Sequence, residues 1–303
     1  MRYIDIHAHC YRFPLPFVTR FCNPRELLER YDAHGIEMGA LLPVVNSEIY
    51  LPQTNEDILE MVDNHPDRFF PFCNVDPRAL INRADAPLDT VLAYYKEKGC
   101  RGVGEIMPNL PFEDERVQNL FRCAELVGLP VTTDGSDRPT GDFGLCDQPG
   151  LPGLEHTLQR FPNLKFIAHG PVFWAEYTSR PRPGQCKPIF LTNGLQSGSP
   201  APQGPVESEG IIQQLFRDFP NLYGELSDAF AQLRRDPDFA VRFLTEFQDR
   251  LFYGSDNCNI VQNFEMKHWF DDLHESGRLP TPVWQKICRN NAIRFFNLPL
   301  SPA

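Results

Sequence analysis

The sequence predicts an α/β protein in which eight strands form a (β/α)8 TIM barrel, with a long Pro/Gly-rich loop after the sixth strand and a helical C-terminal tail. Three observations support this prediction. Short apolar segments alternate eight times with amphipathic ones, the 303 residues fit a single barrel domain, and chemically active side chains follow several of the apolar segments. We therefore predict one domain over residues 1–303. The rival is an open doubly wound sheet, but no Gly-x-Gly-x-x-Gly motif follows the first strand.

The strand candidates are short apolar runs separated by helical segments. Such strands pair in parallel through helical crossovers, so their C-terminal ends meet on one face of the barrel. The eight runs are Tyr3–His7, Met38–Val45, Phe69–Val75, Cys100–Met107, Leu129–Thr133, Leu164–His169, Leu222–Leu226 and Leu251–Gly254.

The helices are predicted from apolar residues at helical spacing and from start and stop signals. Asn23 is an N-cap followed by Pro24 at the first helical position, and Gly35 ends that helix. Thr54, with Asp57 three residues later, begins the second helix. The remaining helical segments are Leu88–Lys98, Asp114–Val127, Pro152–Phe161, Ile211–Phe219, Pro237–Gln248 and a tail from Phe264 to Phe296 that breaks around Gly277 to Pro280.

Residues 171–210 break the alternation, because they contain seven prolines and five glycines. A long irregular segment after the sixth strand belongs on the C-terminal face of the barrel, where such loops often act as lids. Phe173, Trp174 and Tyr177 lie at its start, close to His169 in the sequence. We predict that residues 171–210 cover the mouth of the site. The alternative is a disordered insert.

Composition limits the partners and the compartment. With 40 acidic and 29 basic residues the net charge is −11, which disfavours nucleic acids and anionic membrane surfaces. No apolar run reaches the ~18–20 residues of a membrane span, and the polar first nine residues do not form the core of a signal peptide. Nine cysteines without a Cys-x-x-Cys pair indicate free thiols in a reducing cytoplasm. The sequence allows a homo-oligomer.

Imidazoles and carboxylates stand at the ends of four predicted strands. His7 and His9 end the first strand, and their i, i+2 spacing points both side chains to one side. Glu105 ends the fourth strand, His169 ends the sixth, and Asp256 follows the eighth. Because these strand ends converge in a barrel, we expect a site with several N/O ligands and an open position. Such a site suits catalytic Zn²⁺ or Mn²⁺.

Three segments, in this order and at barrel spacing, carry a resemblance to a known family. They are DIHAH at residues 5–9, FPNLKFIAHG at 161–170 and RLFYGSD at 250–256. Over essentially its whole length the chain resembles the amidohydrolase superfamily, in the branch called amidohydrolase family 2. That branch includes metal-dependent hydrolases, lactonases and non-oxidative decarboxylases of the aminocarboxymuconate-semialdehyde type.

The resemblance implies roles for individual residues. His7 and His9 would be metal ligands, and Asp256 would be both a ligand and the proton carrier. His169 would face the metal, as a ligand or as an electrophile. Glu105 matches the fourth-strand glutamate of TatD-like members, which binds or bridges metals.

One departure concerns the fifth strand, which ends in a ligand histidine in many relatives but in Asp134 here. A second ion would depend on Glu105, His169 and Asp134, a weak set for a borderline-soft ion such as Zn²⁺. We therefore expect about one divalent ion per chain, with zinc favoured and manganese as the alternative. Asp134 is then predicted to contact substrate, as are Trp174 and, from the first loop, Arg12 and Arg20.

The sequence thus predicts a metal-dependent hydrolase of a small-molecule ester, lactone or amide. A bound divalent ion lowers the pKa of its water and polarises a carbonyl oxygen. The same pocket suits a metal-dependent, non-oxidative decarboxylase of a small carboxylic acid. A third alternative is a catalytically inert barrel that serves as a binding protein, which the departure at Asp134 favours and the intact His7, His9 and Asp256 set opposes.

Overall fold

Eight parallel strands surround the centre of the part of the chain that the structure describes. The structure is a computed structural model that describes residues 1–13, 21–48, 53–179, 189–191, 194–196 and 204–303. Each strand coincides with one of the predicted apolar runs, which confirms their number and order. The strands are β1 (Tyr3–Ala8), β2 (Ile36–Leu41), β3 (Phe69–Pro71), β4 (Val103–Ile106), β5 (Val131–Thr133), β6 (Phe166–Ala168), β7 (Leu222–Glu225) and β8 (Leu251–Phe252).

The strands close into a ring in sequence order. β1, β2 and β3 form one sheet, and β4 to β8 form a second. A parallel bridge between Cys73 and Val103 joins β3 to β4. On the other side, the backbone N–H of Ile6 donates to the carbonyl oxygen of Tyr253 at 3.1 Å, which joins β1 to β8. These contacts are those expected of the predicted (β/α)8 TIM barrel.

The helices of the outer layer begin where the sequence signals place them. At the start of the first helix, the Asn23 side chain accepts from the backbone N–H of Glu26, and the Glu26 carboxylate accepts from the backbone N–H of Asn23. Gly35 ends this helix with a φ of 67°. Thr54 and Asp57 form the same capping box. The helices are α1 (Pro24–His34), α2 (Asn55–Asn64), α3 (Leu88–Glu97), α4 (Glu115–Val127), α5 (Pro152–Arg160), α6 (Pro171–Ala175), α7 (Ile211–Asp218), α8 (Phe230–Leu233), α9 (Pro237–Glu246), α10 (Glu265–Glu275), α11 (Thr281–Gln285) and α12 (Asn291–Phe296), with a 3₁₀ turn at Ser227–Ala229 and a π-helical turn at Lys286–Asn290.

Several boundaries differ from the prediction. The second strand was expected over Met38–Val45 but ends at Leu41. The carbonyl of the next residue, Leu42, lies 2.9 Å from Nδ1 of His9, so this carbonyl serves the site and not a neighbouring strand. Two short strand pairs were not predicted: Gly135–Ser136 pairs with Leu145–Cys146, and Ile189–Leu191 pairs with Gly194–Gln196.

Two predictions fall largely outside the described residues. Within the proposed lid, the structure describes 171–179 and 204–210, and it gives only the two short strands between them. The prediction that residues 171–210 cover the mouth of the site therefore concerns residues that are largely outside the described part of the chain. Arg20, a predicted substrate contact, lies outside it as well.

The C-terminal helix closes the lower, N-terminal end of the barrel. Side chains inside the ring, including Ile4, Ile6 and Phe70, form one apolar cluster with residues of α12. The ring of Phe296 on α12 lies 5.3 Å from that of Phe70 and 5.5 Å from that of Phe72. Since this end is packed, chemistry is left to the opposite end, where the strands terminate.

Two structural findings bear on the predicted environment. None of the described helices is long and apolar enough to cross a membrane. The described cysteines are all free thiols, and most of them are buried.

Candidate active site

Asp5 joins the ends of β1 and β8 beneath the site. Its buried carboxylate accepts from the backbone N–H groups of His7 (3.1 Å) and Ser255 (2.9 Å), and from the hydroxyls of Ser255 (2.5 Å) and Tyr31 (2.8 Å). Burial raises the pKa of Asp5 to about 6, although these donors oppose the rise. The backbone N–H of Asp256 also donates to the carbonyl of His7 at 2.9 Å. The main chain thus fixes Asp256 beside the first histidine.

Four predicted ligands converge on one point. Nε2 of His7 lies 3.2 Å from Nε2 of His9, 3.4 Å from Oε2 of Glu105 and 3.7 Å from Oδ1 of Asp256. Nε2 of His9 lies 3.3 Å from the same two oxygens. Two ligands held tetrahedrally at ~2.1 Å from one ion would be ~3.4 Å apart. The two histidine nitrogens are therefore spaced from each other and from each carboxylate oxygen as ligands of a single ion would be.

The orientation of His9 supports the same interpretation. Its Nδ1 lies 2.9 Å from the carbonyl oxygen of Leu42, which can only accept, so this nitrogen carries a proton. In the neutral ring, Nε2 then presents its lone pair to Nε2 of His7. Two nitrogen lone pairs at this distance repel unless a proton or a cation lies between them. The residues present thus fit a divalent ion, which would be held through Nε2 of both rings.

A second group of donors lies on the other side of Glu105. Its Oε1 is 3.4 Å from Nε2 of His169, and Asp134 offers an oxygen within 4.8 Å of both residues. Gly170 makes room for this arrangement, because a Cβ at that position would lie 2.1 Å from Oδ1 of Asp134. The structure therefore places Asp134 beside Glu105 and His169.

Two acidic residues at the site were missed by the sequence analysis. Glu225, at the end of β7, places Oε2 2.6 Å from Nδ1 of His169 and 3.3 Å from Nδ1 of His7. Asp228 places Oδ2 3.5 Å from Nε2 of His169. Both lie at or just beyond the end of a buried strand, so the rule that identified Glu105 would have found them if it had been applied to the seventh strand.

The histidines and carboxylates shift one another's pKa values. Burial lowers the pKa of His9 and His169, but the carboxylates around them outweigh it and raise both to about 9. The same balance raises the pKa of His7 well above its usual value. For Glu225, burial is outweighed by its two histidines, which lower its pKa to about 2. Without a metal ion, the carboxylates therefore favour the protonated form of His9 and His169 at neutral pH.

Asp228 and Asp256 form the open side of the cluster. Their side chains are 34% and 31% exposed, whereas His7, His169 and Glu225 are almost completely buried. Burial raises the pKa of Asp228 to about 7, because the attraction of His169 offsets only part of that cost. Substrate would therefore meet a carboxyl group that is protonated part of the time near neutral pH.

Two predicted substrate contacts lie elsewhere. Trp174 is completely buried, and its indole N–H donates to the backbone carbonyl of Glu225 at 2.9 Å. Arg12 forms ion pairs with Asp57 (3.0 Å) and Glu60 (2.7 Å) on α2. These contacts do not support either side chain as a substrate ligand. Trp174 instead anchors the main chain under the site.

Comparisons with known proteins support the fold. No family model matches the chain, and no curated protein matches it. Among solved structures, a TIM-barrel protein from Bordetella bronchiseptica is similar at a TM-score of 0.62 and 16% identity, covering 98% of this chain and 99% of that one.

Two further similar structures carry names of enzymes. A Pseudomonas putida protein assigned as a 2-pyrone-4,6-dicarboxylic acid hydrolase has a TM-score of 0.61 and 15% identity, with 99% of each chain covered. The 2,6-dihydroxybenzoate decarboxylase from Rhizobium has a TM-score of 0.57 and 15% identity, covering 98% of this chain and 99% of that one. At these identities the similarity establishes the barrel fold.

Proposed function

We propose that this protein is a metal-dependent hydrolase of a small-molecule ester, lactone or amide, built as a single domain over residues 1–303. One observation carries the proposal: four donor atoms from His7, His9, Glu105 and Asp256 lie 3.2–3.7 Å apart wherever a histidine nitrogen is one of the pair. The similarity to a structure named as a pyrone hydrolase agrees with it.

The proposed cofactor is about one divalent ion per chain, zinc in preference to manganese, because two imidazoles accompany the two carboxylates. Such an ion supplies a water of lowered pKa and a polarised substrate carbonyl. Because the pKa of His9 is raised to about 9, binding of the ion at its Nε2 would release a proton near neutral pH.

The protein's own groups then handle protons and developing charge. Asp256 is partly exposed and lies within the donor set, so its carboxylate can accept a proton and return it to the leaving group. His169, held at Nδ1 by Glu225, directs Nε2 toward the cluster and can donate from it to the oxyanion that forms at the substrate carbonyl. The negative charge of Glu105 lies between His7 and His9 on one side and His169 on the other.

Decarboxylation is the second candidate function. Asp228 is the observation that favours it, because this partly exposed carboxyl lies 3.5 Å from Nε2 of His169 on the open side of the cluster, and its raised pKa suits delivery of a proton to carbon. The similarity to a 2,6-dihydroxybenzoate decarboxylase is compatible with this candidate. Its substrate would be a small hydroxylated or unsaturated acid.

Elemental analysis followed by a substrate panel tests the proposal. Protein purified without chelator should hold about one equivalent of zinc or manganese, and two equivalents would show that Asp134 acts as a ligand. The metal-loaded protein is then assayed on lactones, esters and amides, including 2-pyrone-4,6-dicarboxylate, and on hydroxybenzoates with detection of CO₂. Release of CO₂ without hydrolysis selects the second candidate. Hydrolysis that persists after complete metal removal would refute metal dependence. A protein that holds no metal and turns over none of these substrates would favour an inert binding protein.

A further inference from the structure

Glu225 holds His169, but it also faces His7, and the proposed function does not use this second contact. It is completely buried, and one of its oxygens, Oε2, faces Nδ1 of two different histidines. His7 is a proposed ligand, and His169 is the proposed donor to the oxyanion. A single carboxylate oxygen therefore connects the two functional halves of the site.

The surroundings of Glu225 hold its carboxylate in one place. The backbone N–H of Ser227 donates to Oε1 at 2.6 Å, and the hydroxyl of Ser227 donates to Oε2 at 2.8 Å. The indole of Trp174 holds the backbone carbonyl of the same residue. Gly254 leaves the necessary space, since a Cβ there would lie 1.9 Å from Oε1. The carboxylate thus sits in a site built from three neighbouring elements.

The contacts at the two imidazoles differ in a way that suggests a function. Nδ1 of His169 lies 2.6 Å from Oε2, a short charge-assisted hydrogen bond. Nδ1 of His7 lies 3.3 Å from the same oxygen and is buried without a hydrogen bond of good geometry in the described structure. A hydrogen bond from this nitrogen to Oε2 would leave Nε2 of His7 to face His9 and Glu105.

We propose that Glu225 is a positioning residue that orients His7 for metal binding and His169 for catalysis through the same carboxylate oxygen. The inference rests on the proposed function, because it assumes that Nε2 of His7 binds a metal ion. A carboxylate that receives the second N–H of a ligand histidine fixes the ring and makes the ligating nitrogen more basic. Removal of the charge should therefore weaken metal binding even though Glu225 does not touch the ion.

The test compares Glu225→Gln with Asp147→Asn, a matched loss of one acidic charge at the start of α5. There the Asp147 carboxylate accepts from the backbone N–H groups of Gly153 and Leu154, both at 2.9 Å. Affinity for Zn²⁺ and Mn²⁺ is measured by competition with a chromophoric chelator, and the visible spectrum of the Co²⁺-loaded protein is recorded. We expect Glu225→Gln to weaken metal affinity about 10–100-fold and to change the Co²⁺ spectrum. Asp147→Asn should lower thermal stability and leave both metal readouts unchanged.

Ser227→Ala provides a second variant, because it removes the hydroxyl that donates to Oε2 of Glu225 and lies 3.2 Å from Nδ1 of His169, and it leaves His7 untouched. It should weaken metal affinity in the same direction by a smaller factor, and it carries the test if Glu225→Gln does not fold. Wild-type affinity in Glu225→Gln, or an equal loss in Asp147→Asn, would overturn the positioning role. A wild-type protein that binds none of the three metals gives a different pattern, which overturns the proposed function together with this inference.

Discussion

Replacing Gly254 by alanine should displace the Glu225 carboxylate without altering any polar group. The added Cβ would lie 1.9 Å from Oε1 and 2.4 Å from Cδ of Glu225. Real Cβ atoms essentially never approach another heavy atom closer than 3.0 Å, and the distance to Oε1 is 1.1 Å shorter than this limit. No positive φ requires glycine at this position, so the substitution acts through the carboxylate and not through backbone strain.

The size of the effect follows from the hydrogen bond that is lost. We expect a displacement of about 1 Å away from His169 to lengthen the distance from Oε2 to His169 Nδ1 from 2.6 Å to about 3.6 Å, beyond hydrogen-bond range. Loss of a hydrogen bond to a charged group costs about 1.5–3 kcal/mol. At roughly 2–4 °C per kcal/mol, a loss of about 2 kcal/mol lowers Tm by about 4–8 °C. Metal affinity should fall at least about tenfold, since both imidazoles lose their orienting partner.

Thermal unfolding with and without metal, together with chelator competition, measures both effects. Gly135→Ala is the matched control, because a Cβ there would meet Val172 at an ordinary 3.6 Å. The control should keep wild-type Tm and metal affinity. If Gly254→Ala also keeps both, the carboxylate is not held where the structure places it and the reasoning fails.

Three further predictions concern the ligands, the second donor group and the charge of the site. The double variant His7→Ala, His9→Ala should hold no metal and show no turnover while keeping its helical circular dichroism, and bound metal in this variant would contradict the ligand assignment. Gly170→Ala should lower the free energy of unfolding by about 1–2 kcal/mol in a denaturant titration, because Gly170 has a φ of 94° and faces Asp134. An unchanged denaturation midpoint would contradict this prediction. Since the pKa values of His9 and His169 are raised to about 9, their protonation stabilises the metal-free fold fully below about pH 6.5, and this contribution is lost as the pH rises through 9. The Tm of chelator-treated protein should therefore fall over that interval, metal affinity should rise, and a flat Tm profile would refute the charge assignment.

Much of the site could be predicted from the sequence because strand ends in a parallel barrel must converge. The i, i+2 spacing of His7 and His9 already places both rings on one side of β1, and the structure puts their Nε2 atoms 3.2 Å apart. Glu105, His169 and Asp256 were found by the same argument, although they are far apart in the sequence. Topology, and not local pattern, brings these residues together.

Glu225 shows where this reasoning stopped. It lies in the apolar run Leu222–Leu226, which the sequence identified as a strand, but the sequence analysis assigned this carboxylate no role. Its importance depends on contacts with His7 and His169, which belong to β1 and to the loop after β6. Pairing between side chains on different strands depends on barrel geometry, which a pattern within one segment does not contain.

The position of Trp174 could not be predicted for a related reason. An aromatic residue just after a strand suits a substrate contact and a core position equally well. The structure buries it, with its ring 6.0 Å from that of Phe243 on α9. Packing against a helix about seventy residues later in the chain decides between the two positions.

The lower closure of the barrel has a consequence for biosynthesis. The side chains that fill this end, such as Phe296, come from α12, which follows all eight strands in the sequence. A nascent chain whose strands have all left the ribosome therefore still exposes the aliphatic and aromatic lining of its ring, including Ile4 and Phe70. Exposed surface of this kind promotes aggregation in folding intermediates. A helix that follows all eight strands in the sequence thus completes this part of the hydrophobic core, so the ring of strands alone leaves apolar surface exposed.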